Sequence, residues 1–411
     1  MKTRMLRIAF VHPELGIGGA ERLIVDAALE LQQRGARVTV FTARHDPDSC
    51  FEETRTGALE IRTAGKCIPL HVGGRLRVPC AIARMACAAL AMAASGGPWD
   101  IVVCDLVPHI IPLLRLVTGA KIVFYCHYPD RLLAPKRSGA YALYRYPINR
   151  LEEAGLRMAD GIFVNSQFTA GVFRAAFPRL AGKQVDVVYP GVDMSAFSQG
   201  MARPAMPAAL QDSDIALLSL NRYDPGKNLE LAVEALAELK KIVSDETGRR
   251  LRLIYAGSCD ERLSESRQLL QRLQQRAEDL KLADQVVFLK SVTDAERTWL
   301  LNRCACLVYT SLHEHFGIGI VEAMAAGRPV VAVNNGGPRE TVRDGETGFL
   351  CEPSPGAFAE ALARIVTDPS LAERMGIEAQ KRAADTFSRP AFGRNFDAHV
   401  RSLLAGENRV C

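Results

Sequence analysis

The chain has no Cys-x-x-Cys pair among its eleven cysteines, no Asn-x-Ser/Thr sequence and no long N-terminal apolar segment. Cysteines such as Cys104 sit in apolar runs (Val102-Val103-Cys104), so they read as buried, reduced thiols in a cytosolic setting. Cys304-Ala305-Cys306 offers two metal ligands without partners, which is too few for a site. Leu6 to Val11 is too short for a signal core, so no secretory leader is expected. No basic-aromatic motif of a nucleic-acid reader occurs. Apolar runs of membrane-spanning length are lacking as well. The stretch Val78 to Ser95 is alanine-rich and interrupted by Arg84, short of the roughly 20 apolar residues a spanning helix needs. It reads first as a helix buried against a sheet. Arg75, Arg77 and Arg84 keep open a helix lying at an anionic membrane surface, with Val107 to Leu114 as a second contact.

What is present is ordinary for a soluble globular protein: 411 residues, 48% hydrophobic and 24% charged. That length suggests two or three domains. Charge is uneven, with 24 Lys and Arg against 17 Asp and Glu in residues 1–200, and 27 against 29 in residues 201–411. A basic first half favours an anionic surface or acceptor. Short apolar runs alternate with helical periodicity throughout, which predicts parallel sheets in an α/β fold. Runs such as Arg37–Phe41, Ile101–Cys104 and Lys121–Cys126 in the first half, and Leu251–Ala256, Cys306–Tyr309 and Pro329–Val333 in the second, are the expected strands. The expected boundaries are 1–200, 201–387 and a last segment 388–411. The hinge is placed at Pro190-Gly191-Val192-Asp193 and the stretch Gly200 to Pro207.

Three stretches carry chemistry. Glu314 and Glu322 are separated by seven residues in a segment that reads as a loop, a glycine at a helix start, and a helix with a carboxylate two turns in. A helix N-terminus suits an anionic phosphate, and Gly317 has no side chain to hold a ligand off. Second, Arg222 and Lys227 follow the strand Ile215–Leu220, where open α/β sheets bind ligands, and two fixed cations there can neutralise a pyrophosphate. Asp224-Pro225-Gly226 is also good turn chemistry. Third, Gly16, Gly18 and Gly19 follow the strand Leu6–His12 and permit close backbone approach. They do not form a dinucleotide fingerprint. Asn335-Gly336-Gly337-Pro338 reads equally as a ligand contact and as a turn before a helix. Asp46-Pro47-Asp48 mimics a metal motif but sits among turn residues.

Together these motifs resemble retaining glycosyltransferases built from two Rossmann-like domains facing a central cleft, the GT-B type. Phe10 to Leu23, Phe124 to Asp130, Val164 to Ala170 and Glu314 to Ile318 are similar to the GDP-mannose-dependent alpha-1,3/1,6-mannosyltransferases of dolichol-linked oligosaccharide assembly, a likeness running from about Arg7 to about Phe392. Gly226 stands where that family carries a further lysine, and Gly319-Ile320 where it carries Val-Pro. The resemblance implies GDP-mannose as donor, a dolichol-pyrophosphate oligosaccharide as acceptor in N-glycosylation, and a place on the cytosolic face of the endoplasmic reticulum membrane. Other mannosyltransferases of the pathway are implied partners, and no metal cofactor is expected. It implies catalytic roles for His127, Glu314, Arg222 and Lys227. Donor binding falls to Gly18, Gly19, Arg222, Lys227, Phe316, Gly317, Ile318 and Glu322, with Glu322 on the ribose and Glu314 on the sugar. From spacing alone His127 reads as a backbone-satisfied histidine; the resemblance places it against the transferred sugar or the acceptor. Arg131, Lys136 and Arg137, with Arg145 and Arg150, read as a solvated helix face or as cations for a lipid pyrophosphate and an anionic membrane. A related transferase with another nucleotide sugar or a soluble acceptor is the alternative, and a non-enzymatic scaffold the third reading.

Overall fold

Strands such as Ile101–Asp105 have no polar face, and an aliphatic run of that kind is stable only when helices cover both of its sides. The computed structural model of the chain describes residues 5–73, 76–134, 139–197, 204, 210–260 and 262–406. It contains two all-parallel sheets. The first is built from β1 (Arg7–His12), β2 (Arg37–Thr42), β3 (Glu60–Thr63), β4 (Ile101–Asp105), β5 (Lys121–Cys126), β6 (Gly161–Val164) and β7 (Val185–Val187), in the order β3-β2-β1-β4-β5-β6-β7. The second is built from β8 (Ile215–Leu220), β9 (Leu251–Gly257), β10 (Val286–Lys290), β11 (Cys306–Tyr309), β12 (Val330–Val333) and β13 (Gly348–Cys351), in the order β10-β9-β8-β11-β12-β13. Strand order reverses between β1 and β4 in one sheet and between β8 and β11 in the other. In open α/β sheets a ligand crevice forms at such a point, outside the strands' carboxyl ends.

The chain divides into two compact units, Met1–Gly191 with Arg389–Cys411, and Val192–Ser388. The first division therefore lies after Gly191, within the Pro190–Asp193 hinge candidate, and earlier than the boundary expected at 200/201. Residues 198–203 and 205–209, most of the other hinge candidate, lie outside the described residues. The final helix, Arg389–Ala405, belongs to the first unit. It buries Phe392, Phe396 and Val400 against Phe10, Phe163 and the helix Gly19–Gln33. Burial of each such side chain contributes about 1.5–3 kcal/mol. Arg389 also pairs with Asp26 at 2.9 Å.

The apolar stretch of the first half forms the helix Arg77–Ala94, which is long and apolar enough to cross a membrane. Its Met85, Ala88, Ala89 and Met92 are buried in the first core with β4 and β5, and Arg84 is buried as well. One face of this helix is therefore core, while Leu90 on another stays exposed. Seven of the ten described cysteines are buried and all ten are free thiols. Asp46 accepts the Asp48 N–H at 3.1 Å in an exposed turn, as expected of a loop.

Candidate functional site

The second unit assembles its polar groups at the β8/β11 reversal. After β8 the chain makes a tight turn, Pro225–Lys227, held by Asp224 Oδ1 accepting the Gly226 N–H at 2.9 Å. The Lys227 carbonyl accepts the Thr310 hydroxyl at 2.9 Å, which ties this turn to the end of β11. Lys227 Nζ then meets Glu314 Oε2 at 2.7 Å, and the Tyr309 hydroxyl donates to the same oxygen. Burial pushes the Glu314 carboxyl up, but the Lys227 ammonium and the Tyr309 hydrogen bond outweigh it and hold Glu314 below its usual range. The pair is a preformed ionic contact with both side chains mostly buried. Arg222, by contrast, is 71% exposed and meets Asp224 at 3.4 Å.

The loop bearing Glu314 is propped from below. The Gly337 N–H donates to the Glu314 carbonyl at 2.8 Å, and Asn335 Nδ2 donates to the Leu312 carbonyl at 2.8 Å. A Cβ on Gly336 would lie 2.4 Å from that Glu314 carbonyl oxygen, and one on Gly337 would lie 2.4 Å from Phe316 Cα. Asn335-Gly336-Gly337 therefore supports the Glu314–Phe316 backbone, and only glycine permits that approach. Gly317, at φ 86°, turns the chain into the helix Ile318–Ala325. Phe316, expected at the donor, is a buried residue whose ring packs edge-on against Phe387. Ile318 is exposed at the helix start. Glu322 is buried within that helix, and Arg297 Nη1 meets its Oε1 at 2.7 Å. Burial raises the Glu322 carboxyl above its ordinary value, against the pull of Arg297.

The first unit has a different centre, at the β1/β4 reversal. His12 ends β1, Asp105 ends β4, and His127 follows β5. His12 Nδ1 lies 2.7 Å from Asp105 Oδ1, and His127 Nε2 lies 3.1 Å from Asp105 Oδ2. His12 and Asp105 are fully buried, whereas the His127 side chain is 20% exposed. The glycine-rich turn reaches the same place through Glu21, whose Oε1 is 3.8 Å from His12 Nε2. Gly18 precedes the helix Gly19–Gln33, and a Cβ there would meet Glu21 Oε2 at 2.2 Å, so Gly18 lets that carboxylate fold back. Gly19 has open space around it. Burial works against a charged His12, yet Asp105 and Glu21 raise it to about 9. The Asp105 carboxyl, despite its burial, is held low by His12 and His127.

The basic run after His127 needs correction. Arg131 turns inward: its guanidinium donates to the Ala176 carbonyl at 2.7 Å, sits 4.6 Å from the Phe177 ring centre, and approaches Glu152 and Glu153. Arg145 is buried against Asp130 at 2.6 Å and Asn149 at 2.9 Å. Both serve the packing of the helix Ala140–Met158, not a surface field. Lys136 and Arg137 lie outside the described residues, and Arg150 is exposed. Sequence reasoning also missed Asp105 and Arg297 and gave His12 no role. A carboxylate closing an otherwise apolar strand was a readable signal for Asp105. Arg297 carried none, because it lies among polar residues of a helix, and only the fold brings it to Glu322.

Residues 17–196 match the Glycosyltransferase Family 4 model and residues 207–382 match Glycosyl transferases group 1. Among solved structures, a sucrose-phosphate synthase from Thermosynechococcus elongatus superposes with a TM-score of 0.76 at 22% identity, covering 98% of this chain and 100% of that one. Anabaena Alr3699/HepE in complex with UDP gives 0.70 at 20% identity, covering 97% and 100%. These likenesses show the fold, two parallel α/β units of GT-B type. Alpha-1,3/1,6-mannosyltransferase ALG2 of Homo sapiens is 42% identical over 97% of this chain and 96% of its own length. The protein of that name from Dictyostelium discoideum is 41% identical over 97% and 98%, and that from Saccharomyces cerevisiae 34% over 98% and 86%. A chain that shares this much sequence with these proteins over nearly its whole length belongs to the alpha-1,3/1,6-mannosyltransferase family of hexosyltransferases.

Proposed function

We propose that this protein transfers mannose from GDP-mannose to a dolichol-pyrophosphate-linked oligosaccharide, forming alpha-1,3 and alpha-1,6 branches at the cytosolic face of the endoplasmic reticulum membrane, without a metal cofactor. The observation that carries the donor half is the Lys227–Glu314 pair beside the exposed Arg222 and the helix that starts at Gly317. As the glycosidic bond to the nucleoside diphosphate breaks, negative charge grows on the β-phosphate. Lys227 and Arg222 meet that charge as fixed cations, with the helix N-terminus as a third positive element. Glu314 is kept ionised by Lys227, so it accepts hydrogen bonds from sugar hydroxyls. Glu322 addresses the ribose, with one oxygen on Arg297. His127 contacts the transferred sugar or the acceptor hydroxyl. Gly18 and Gly19 form the glycine-rich face of the first unit's own site.

Membrane association is supported by exposed apolar side chains on the first unit, Leu133, Leu143 and Tyr146, together with Leu90 on the helix Arg77–Ala94. A cavity of about 450 Å³ in the same unit is walled by Val78, Ala81 and Val107 and by Arg77, Arg84, His109 and Asp130. Arg84 donates to the Pro69 carbonyl at 3.0 Å, while its Nε has no hydrogen-bond partner among the described residues. Apolar walls with the buried Arg84 and the exposed Arg77 suit an anionic lipid, the Asp130 carboxylate being paired with Arg145 at 2.6 Å. Purified protein supplied with a lipid-pyrophosphate oligosaccharide should transfer mannose from GDP-mannose, fail with UDP-sugars, and keep its rate in EDTA. Loss of transfer on chelation, restored by Mn²⁺ or Mg²⁺, overturns the metal-free mechanism. Preference for a UDP-sugar overturns the donor.

A further inference from the structure

We propose that Asp105, itself anchored by His12, is a positioning residue that fixes the tautomer of His127, so that His127 presents Nδ1 and not Nε2 to a substrate hydroxyl. The inference rests on the reading of His127 as a group that contacts substrate. Its own content is which nitrogen is used and what dictates that choice.

The geometry has three parts. First, the two histidines bond to different oxygens of one carboxylate, Oδ1 for His12 at 2.7 Å and Oδ2 for His127 at 3.1 Å. An ionised carboxylate only accepts hydrogen bonds, so each facing ring nitrogen must carry the hydrogen. For neutral His127 this places the proton on Nε2 and leaves the lone pair on Nδ1. Second, His12 cannot act as the reacting group. It is fully buried, and its remaining nitrogen faces Glu21 at 3.8 Å, inside the protein. His12 sits between two carboxylates, where its positive charge compensates the burial of Asp105. Third, the backbones that carry the trio are rigid. His12 and Asp105 close neighbouring parallel strands, with Val11 registered opposite Cys104, and Asp105 lies opposite Tyr125 on β5, two residues before His127. The Tyr125 hydroxyl is locked to the Val188 carbonyl at 2.8 Å, and the Asn165 amide reaches the His127 carbonyl at 3.4 Å. An imidazole whose far nitrogen is bound to a buried carboxylate is fixed in ring orientation as well as in tautomer, the same device by which a carboxylate orients a catalytic or metal-binding histidine.

Two measurements test this in the full-length protein. Long-range ¹H–¹⁵N correlation spectra of histidine-labelled wild-type protein, with His127→Gln to assign the signal, should show neutral His127 protonated at Nε2. A resonance pattern of the Nδ1–H tautomer overturns the proposal without any substitution at Asp105. In steady-state assays Asp105→Asn, which keeps the shape but can turn an N–H toward His127, should lower kcat by about 10²-fold, with KM for the donor changed by about threefold or less, since the donor groups lie in the other unit. His12→Gln should lower kcat less, by about 10-fold, because its amide can still donate to Asp105. Circular dichroism and thermal unfolding of both variants should match wild type, which shows that the first unit is folded. Asp105→Asn with kcat within about threefold of wild type overturns the role. His127→Ala separates this from the underlying reading: if that variant is fully active, His127 contacts no substrate; if it is inactive while Asp105→Asn is not, only the positioning fails.

Discussion

The two units use the same topological position in opposite electrostatic ways. At the β1/β4 reversal the first unit buries its charges: His12 and Asp105 are fully enclosed, and one ring, His127, reaches the surface. At the β8/β11 reversal the second unit keeps one cation open: Lys227 and Glu314 form a mostly buried ion pair, and Arg222 lies largely in solvent. A buried carboxylate compensated by an imidazolium fixes one atom accurately and does little long-range steering. Exposed cations meet an anion that arrives with a nucleotide and gain strength as solvent leaves. The difference matches the tasks proposed here, orientation in one unit and charge stabilisation in the other.

The largest test of that division is at Lys227. Lys227→Ala should reduce kcat by about 10²-fold or more, since it removes a cation acting mainly in the transition state. It also leaves Glu314 without its counter-ion. Glu314→Gln should therefore lower kcat strongly while GDP affinity, measured by calorimetry, changes little. Loss of GDP affinity with kcat intact would mean that Glu314 serves the nucleotide and not the sugar.

His12 and Glu314 should also respond to pH in opposite directions. His12 is raised in the folded state from 6.5 to about 9, so its contribution is complete below pH 6.5 and is lost as pH rises towards 9. The amount is on the order of 3 kcal/mol, and denaturant unfolding between pH 6.5 and 9 should show the decline, which His12→Gln removes. Glu314 is lowered, so its contribution is present above about pH 4.5 and lost as pH falls below it. Glu314→Gln should flatten that acid limb alone.

Smaller effects sharpen the contrast further. Arg297→Met leaves Glu322 buried without its partner and should raise KM for the donor about 10-fold with little change in kcat. Gly18→Ala should cost only a few-fold in rate, because the added Cβ meets the flexible end of Glu21 and not backbone. A drop as large as that of Lys227→Ala would place Gly18 against substrate. At the membrane, Leu143→Glu with Tyr146→Glu should weaken liposome binding more than Arg131→Gln, since Arg131 is held inside the fold.

Much of this protein could be read from the chain alone. The alternation of aliphatic runs and helical periodicity determined two parallel sheets, since runs without a polar face must be covered on both sides. Local spacing determined the Gly317 helix start, the Pro225–Lys227 turn and the two carboxylates near them, because those are contacts of residues close in sequence. The glycine pair at 336–337 stayed ambiguous, as its reason is a backbone 20-odd residues away. What only the tertiary structure decided is the pairing of side chains across strands and helices: His12 with Asp105 at 93 residues' separation, Lys227 with Glu314 at 87, and Arg297 with Glu322 from one helix to the next. Charge alone does not say whether an arginine is a surface cation or an internal brace. For Arg131 and Arg145 the fold supplied carbonyls, carboxylates and an aromatic face within reach, and desolvated guanidinium groups take such partners where packing brings them.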